Sequence, residues 1–114
     1  MLFRSKTLMA LADDEPVCVI IPSDKELSLK KLAAVFHAKS ARMMKPSDAE
    51  RISGYKVGGI SPFGQMRKLP TAIEATALNH PFVYINGGQR GLQVRLSPHD
   101  AKLASQAVAA HVIA

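Results

Sequence analysis

The chain has 114 residues, of which 47% are hydrophobic and 21% charged, and this composition predicts one globular domain over residues 1–114. A single cysteine excludes an internal disulfide, no apolar run is long enough to cross a membrane, and the N-terminus lacks the layout of a signal peptide. We therefore expect a cytoplasmic protein that has no membrane partner.

The net charge of +6 is concentrated in one part of the chain. Residues 39–68 carry seven Lys or Arg side chains against two acidic ones, whereas the first 38 residues are balanced. A basic region attracts polyanions through a salt-sensitive term that does not depend on sequence. A solvated basic surface without a partner is an equally good interpretation of the charge alone.

Apolar patterns predict five elements in the first half of the chain. Two apolar runs on either side of an acidic turn indicate a β-hairpin whose second strand is buried on both faces, with Cys18 as a structural thiol inside it. The elements are strands at Thr7–Leu11 and Val17–Ile21, a helix at Leu29–Ala38 capped by Ser28, a short strand at Ala41–Met44, and a helix that a capping box at Ser47–Glu50 begins and Gly54 ends.

A glycine-rich stretch, Gly54–Gly64, follows these elements. It holds four glycines and one proline, and its apolar residues have no regular period, which is typical of a shaped loop with accessible backbone N–H groups. A buried turn between two elements is the alternative, and composition favours it.

The second half predicts three more strands and a C-terminal helix. Ser97 and Pro98 are typical of the N-cap and first position of that helix, which would bury Leu103, Ala104, Ala107 and Val108. The strands are Thr71–Ala75, Phe82–Ile85 and Leu92–Leu96, the last two joined by a hairpin loop at Asn86–Gly91. The whole order predicts an α/β domain in which helices pack against a mixed β-sheet.

Common catalytic motifs are missing from the sequence. Gln65 stands where a phosphate-binding P-loop requires lysine, the four histidines have no metal-ligand spacing, and Ser61 lacks the context of a nucleophile elbow. Lys6 is a candidate cation for a phosphate or a developing oxyanion, with a strand-edge lysine that discourages aggregation as the alternative. No metal or organic cofactor is indicated.

Four segments that occur in order carry a more specific signal. They are Lys6–Leu8, Lys30–Ala33, Gly54–Gly64 and Gly87–Leu92, and together they resemble the YbaK/ProX family of aminoacyl-tRNA editing domains, most closely its YbaK-type Cys-tRNA(Pro) deacylases. The resemblance runs from about Lys6 to the C-terminal helix, and the G-G-x-S-P block is its most specific part.

The resemblance implies both an activity and a site. Family members cleave the ester between a wrong amino acid, chiefly Cys or Ala, and tRNA(Pro), and in the YbaK type the thiol of the substrate attacks that ester. The family's strand lysine corresponds to Lys6, and its substrate loop to Gly58, Gly59, Ile60, Ser61 and Pro62. Lys56, Arg67, Lys68 and Arg90 would contact tRNA nonspecifically, with a prolyl-tRNA synthetase as a further partner that supplies tRNA identity.

Two departures from the family pattern bear on this interpretation. Relatives carry an N-terminal segment that forms part of the pocket wall, and here only five residues precede Lys6, so the chain is expected to lack that segment or to complete the pocket as a homo-oligomer. Gln93 stands where relatives often have an acidic residue, so no role is carried over to it. A catalytically silent module that binds tRNA or the synthetase is therefore the second hypothesis.

Overall fold

A computed structural model describes residues 3–114, and Met1 and Leu2 lie outside the described residues. Its strands form one mixed sheet in the order β6-β5-β1-β2-β4-β7, and β3 pairs with β1 beside this path. The elements are β1 (Phe3–Ala12), β2 (Glu15–Pro22), α1 (Leu29–Val35), β3 (Ala41–Met43), α2 (Pro46–Ser53), β4 (Thr71–Glu74), a 3₁₀-helix (Ala75–Asn79), β5 (Val83–Asn86), β6 (Gln93–Leu96), α3 (Pro98–Ser105) and β7 (Val108–Ala110).

The predicted hairpin is confirmed, and it is longer than predicted. β1 and β2 are antiparallel and continue in register up to the pair Ala12↔Glu15. Asp13 and Asp14 form the two-residue turn with φ values of 48° and 68°, and positive φ at both positions is what a type I′ hairpin turn requires. Because β1 already begins at Phe3, Lys6 lies inside the strand rather than at its start.

The sheet is covered on both faces, which explains why Val17–Ile21 is buried throughout. One face packs against α1 through a cluster that includes Leu32, Val19 and Ala72. The opposite face holds Met9, Cys18 and Ile60, so the glycine-rich loop packs over that side of β1 and β2. Among the helices of residues 3–114, none combines the length and hydrophobicity that crossing a bilayer requires.

Local capping signals predicted several helix ends correctly. Ser28 accepts a hydrogen bond from Lys31 N, Ser97 accepts one from Asp100 N with Pro98 at the first helical position, and Gly54 ends α2 with a φ of 84°. The predicted capping box at Ser47 is wrong, because α2 already begins at Pro46, whose fixed φ suits the first helical position. α1 ends at Val35 instead of Ala38, and His37 just beyond it has a φ of 56°.

The predicted apolar stripe of the last helix is also wrong. α3 ends at Ser105, Gln106 adopts a left-handed conformation with a φ of 54°, and Leu103 is 61% exposed. Val108 belongs to β7, which pairs in parallel with β4. The edge of β4 offers unpaired backbone groups to the chain end, and satisfying them as a strand outweighs the weak helical pattern of this segment.

Candidate active site

The edge of β1 that faces β3 and β5 is open in its middle. β5 is in register with Phe3 and Arg4, and β3 with Ala10 to Ala12, so Ser5–Met9 has no paired strand on this side within residues 3–114. A cavity of about 350 Å³ lies there, lined by Ser5, Lys6, Thr7, Leu8, Met9, Met43, Met44, Pro46, Ala49, Val57, Gly58, Ile60 and Asn86. Since successive strand residues point to opposite faces, five consecutive lining residues show that the cavity follows the strand edge.

Lys6 is the charged residue among those that line this cavity. Its side chain is half-buried, and no carboxylate within residues 3–114 forms an ion pair with its ammonium group. A cation that has lost part of its water and has no counter-charge interacts strongly with an anion or a developing oxyanion that enters the cavity.

The predicted substrate loop reaches the same cavity with some of its residues. Gly58, at a φ of 92°, and Ile60 line the cavity, whereas Gly59 and Ser61 are buried outside its lining. Pro62 is buried as well and lines a separate cavity that it shares with Lys68. Ser61 is 1% exposed, its Oγ accepts a hydrogen bond from Phe63 N at 3.1 Å, and its carbonyl accepts one from Gln65 Nε2 at 2.9 Å. The Ser61 hydroxyl therefore shapes the loop and is not placed as a nucleophile.

The loop at residues 87–91 holds the glycine-rich loop in place. A Cβ on Gly59 would come within 2.9 Å of Arg90 N and of the Gln89 carbonyl carbon, so the two backbones touch at a point where only glycine fits. Asn86 Nδ2 also donates a hydrogen bond to Ile60 O at 3.3 Å. The position of Gly58 and Ile60 beside Lys6 therefore depends on residues that lie 26 to 31 positions later than their partners in the loop.

The structure separates the four basic residues that were predicted to contact tRNA. Arg90 lies beside Gly58, where its Nε is 2.9 Å from the position of an added Cβ, and Lys56 is exposed at the start of the same loop. Arg67 lines a different cavity, next to Asp14 and Asp48. Lys68 Nζ donates to Ser105 O at 2.6 Å at the end of α3. Only Lys56 and Arg90 are placed near the cavity.

Other candidate groups do not contribute to this site. Cys18 is 1% exposed, and its burial raises the pKa of the thiol to about 12, which confirms the prediction of a structural cysteine. Within residues 3–114 no three His, Cys, Asp or Glu side chains are grouped to hold a metal ion. A larger cavity of about 690 Å³ lies near Pro22–Lys25 and His80, and it is lined by none of the predicted site residues.

Thr7, Asn86 and the methionines of the cavity wall were missed as site residues. Thr7 follows Lys6 directly, and Asn86 directly precedes Gly87, so their proximity to the motifs was the available signal. Met43 and Met44 line the cavity because β3 pairs with the C-terminal end of β1, and no pattern in the sequence predicts that pairing.

The sequence of this chain is similar to one known family and to two known proteins. Residues 3–103 match the family described as aminoacyl-tRNA editing domain. EbsC of Enterococcus faecalis, provisionally named a Cys-tRNA(Pro)/Cys-tRNA(Cys) deacylase, is 36% identical over 94 residues, or 82% of this chain and 57% of EbsC. The proline–tRNA ligase of Lactobacillus gasseri is 36% identical over 59 residues, which are 52% of this chain and 10% of the ligase.

The fold also has a close match among solved structures. A crystal structure provisionally described as a trans-editing enzyme for prolyl tRNA synthetase superimposes with a TM-score of 0.90 at 21% identity, over 97% of this chain and 70% of the other. This likeness confirms the predicted α/β fold with a mixed sheet. The chain spans little more than half the length of EbsC.

Proposed function

Since the chain belongs to the aminoacyl-tRNA editing domain family, as its motifs predicted, we propose that it cleaves the ester of mischarged tRNA(Pro). Cys-tRNA(Pro) is the proposed main substrate and Ala-tRNA(Pro) the second one. The name of EbsC supports the cysteinyl substrate. The observation that carries the proposal is the meeting of Lys6, Gly58 and Ile60 in one cavity, because these residues come from the two segments that the family resemblance had singled out.

The cavity suits an aminoacyl ester in size and chemistry. Its volume of about 350 Å³ lies at the lower end of the range for small-molecule sites. Eight of the thirteen lining residues are methionine, leucine, isoleucine, valine, alanine or proline, with Lys6 as the charged group. In our proposal the acyl side chain contacts the apolar wall, and the Lys6 ammonium faces the ester oxygens, where it stabilises the negative charge that develops during cleavage.

The attacking group comes from outside the protein in this proposal. For a cysteinyl ester, the sulfur of the substrate attacks the ester carbonyl carbon, a C–S bond forms, the C–O bond to the ribose breaks, and the ribose oxygen takes the proton that the thiol released. For an alanyl ester, water takes the place of the thiol. The buried positions of Ser61 and Cys18 support a mechanism without a nucleophile from the protein.

The proposed tRNA contact is a basic rim. Lys56 is exposed within the glycine-rich loop and Arg90 lies beside Gly58, which supports the proposal that both meet the phosphates of the acceptor end. Arg67 and Lys68 lie farther along the surface and would contact tRNA only outside the terminal nucleotides. Such contacts carry no sequence information, so we propose that a prolyl-tRNA synthetase supplies the identity of the tRNA.

Deacylation of Cys-tRNA(Pro), Ala-tRNA(Pro) and cognate Pro-tRNA(Pro) by the protein tests this function. We expect cleavage of the first two esters, and an approximately hundredfold slower rate for Lys6→Ala, since losing one preorganised electrostatic group costs about that much. Lys30→Ala is the matched control, because Lys30 is an exposed lysine on α1 outside the cavity. If neither mischarged ester is cleaved faster than in buffer, the proposal fails.

The alternative function is a silent module that binds tRNA or the synthetase. The open rim of the cavity favours it, since Met43 and Val57 line the cavity and yet are each 44% exposed. A silent module would bind tRNA(Pro) or the synthetase with salt-sensitive affinity and would leave every ester intact. The deacylation assay, repeated alongside a tRNA-binding titration, separates the two functions.

A further inference from the structure

Thr7 carries a polar group that is not hydrogen-bonded by any other described residue of the chain. Its side chain is 6% exposed, and its hydroxyl oxygen is buried without a hydrogen-bond partner among residues 3–114. Ser5, two residues earlier on the same face of β1, donates its hydroxyl to Tyr84 O at 2.8 Å. β5 thus satisfies Ser5 but does not extend far enough along β1 to satisfy Thr7. A buried hydroxyl without a partner destabilises the fold, and in folded proteins such a group often has a functional role.

The backbone of Thr7 is directed towards the same cavity. Met44 N donates to Met9 O, so the peptide groups of Met9 point towards the edge that carries β3. Peptide groups alternate along a strand, so the N–H and C=O of Thr7 point towards this edge as well. Neither β3 nor β5 is in register with Thr7. Thr7 therefore directs a backbone donor and a backbone acceptor towards the cavity that it lines, and its covered hydroxyl is a further unused hydrogen-bonding group at this position.

This arrangement suits one particular part of an aminoacyl ester. The α-amino nitrogen is separated from the ester carbonyl carbon by a single atom, so a substrate whose ester lies in the cavity carries its amino group in the same cavity. The Lys6 and Thr7 side chains extend to opposite faces of β1 and both residues line this cavity, so an ester that faces Lys6 leaves its amino group to the Thr7 side of the strand edge. Resting on the proposed function, we infer that Thr7 is a specificity residue that accepts a hydrogen bond from the free α-amino group of the substrate.

A small movement of the cavity wall is part of this inference. The Thr7 hydroxyl is covered, so the substrate reaches it only after neighbouring side chains shift. Met9, Met43 and Met44 line the cavity, and methionine side chains are unbranched, flexible and able to repack around different shapes. The wall next to Thr7 is thus built from the residues that can move with the least disruption.

The test compares two esters of tRNA(Pro) that differ only in the amino group, cysteinyl and 3-mercaptopropionyl. For cysteinyl-tRNA(Pro), we expect Thr7→Val to lower kcat/KM by about three- to tenfold, the effect of one hydrogen bond. For the deamino ester, Thr7→Val and the wild-type protein should react at the same rate. Thr7→Ser keeps the hydroxyl and should retain the preference for the amino group.

Thermal unfolding provides the second readout. Thr7→Val has nearly the same shape and removes an unpaired buried hydroxyl, so its melting temperature should equal or exceed that of the wild-type protein. Equal losses on both esters would indicate a structural role and overturn the inference, as would unchanged cleavage of the cysteinyl ester. If the wild-type protein cleaves no cysteinyl ester, the proposed function fails and this inference with it.

Discussion

Thr7 and Glu74 are two buried polar side chains of one sheet, and they differ in how their oxygens are satisfied. Glu74 is 0% exposed, yet Oε2 accepts a hydrogen bond from Thr76 N at 2.8 Å and Oε1 accepts one from Val112 N at 2.9 Å. The Thr7 hydroxyl is equally hidden and has no partner within residues 3–114. Burial is thus common to both sites, and the supply of hydrogen bonds distinguishes the structural group from the proposed functional one.

The electrostatics of Glu74 agree with a structural role. Burial alone raises the pKa of this carboxyl, but hydrogen bonds from the backbone N–H groups of Thr76 and Val112 and from the Thr76 side chain act against burial, and the pKa lies below its usual value of 4.5. His111 Nδ1, at 3.7 Å, adds to the lowering. The carboxylate therefore fastens β7 and the chain end to β4, whereas within residues 3–114 Lys6 forms no ion pair and the Thr7 hydroxyl has no hydrogen-bond partner.

The largest effect that we expect concerns Glu74. Glu74→Ala leaves the buried N–H of Val112 without an acceptor, so the free energy of unfolding should fall by about 2–4 kcal/mol in urea titrations. Glu26→Ala is the control, since Glu26 is exposed and should change stability by less than about 0.5 kcal/mol. A loss at Glu74 as small as that of the control would remove the contrast between the two sites.

The second-largest effect that we expect concerns Gly59, in the glycine-rich loop that lines the cavity. A Cβ at Gly59 meets backbone atoms of Gln89 and Arg90, so Gly59→Ala should cost about 1–3 kcal/mol and slow ester cleavage by moving Gly58 and Ile60 away from Lys6. Gly91→Ala is the matched control. At Gly91 an added Cβ meets nothing within 4 Å, so this variant bears only the cost of a φ of 83°, about 1 kcal/mol, and should keep its activity. Equal activity losses in both variants would contradict the role of the loop contact.

The smallest effect is a pH dependence of stability. Because the pKa of Glu74 is lowered in the folded protein, its contribution to stability is complete above the unfolded value of 4.5 and is lost as pH falls through the folded pKa. Melting temperatures measured from pH 7 down to pH 3 should decrease more for the wild-type protein than for Glu74→Gln, which cannot titrate. Parallel curves for the two proteins would show that Glu74 is not responsible for the acid sensitivity.

Local signals in the sequence predicted those parts of the fold that depend on near neighbours. Ser28 and Ser97 cap their helices through N–H groups three residues away, and Gly54 ends α2 through its own backbone angle. The signal failed where a distant strand edge decided the outcome, as it did for Val108, which pairs with Ala72 of β4. Contacts between residues so far apart in sequence leave no periodic trace in either segment.

The same division applies to the candidate site. The motifs around Lys6 and Gly58–Pro62 identified the family and singled out two segments, because the amino-acid types of a shaped loop and a strand lysine are visible in the sequence. Only the tertiary structure brought them to one cavity, since the gap on the β1 edge exists where β5 and β3 stop short of each other. Within residues 3–114, that gap leaves the Thr7 hydroxyl without a hydrogen-bond partner, and strand lengths on either side of it are set by packing across the sheet.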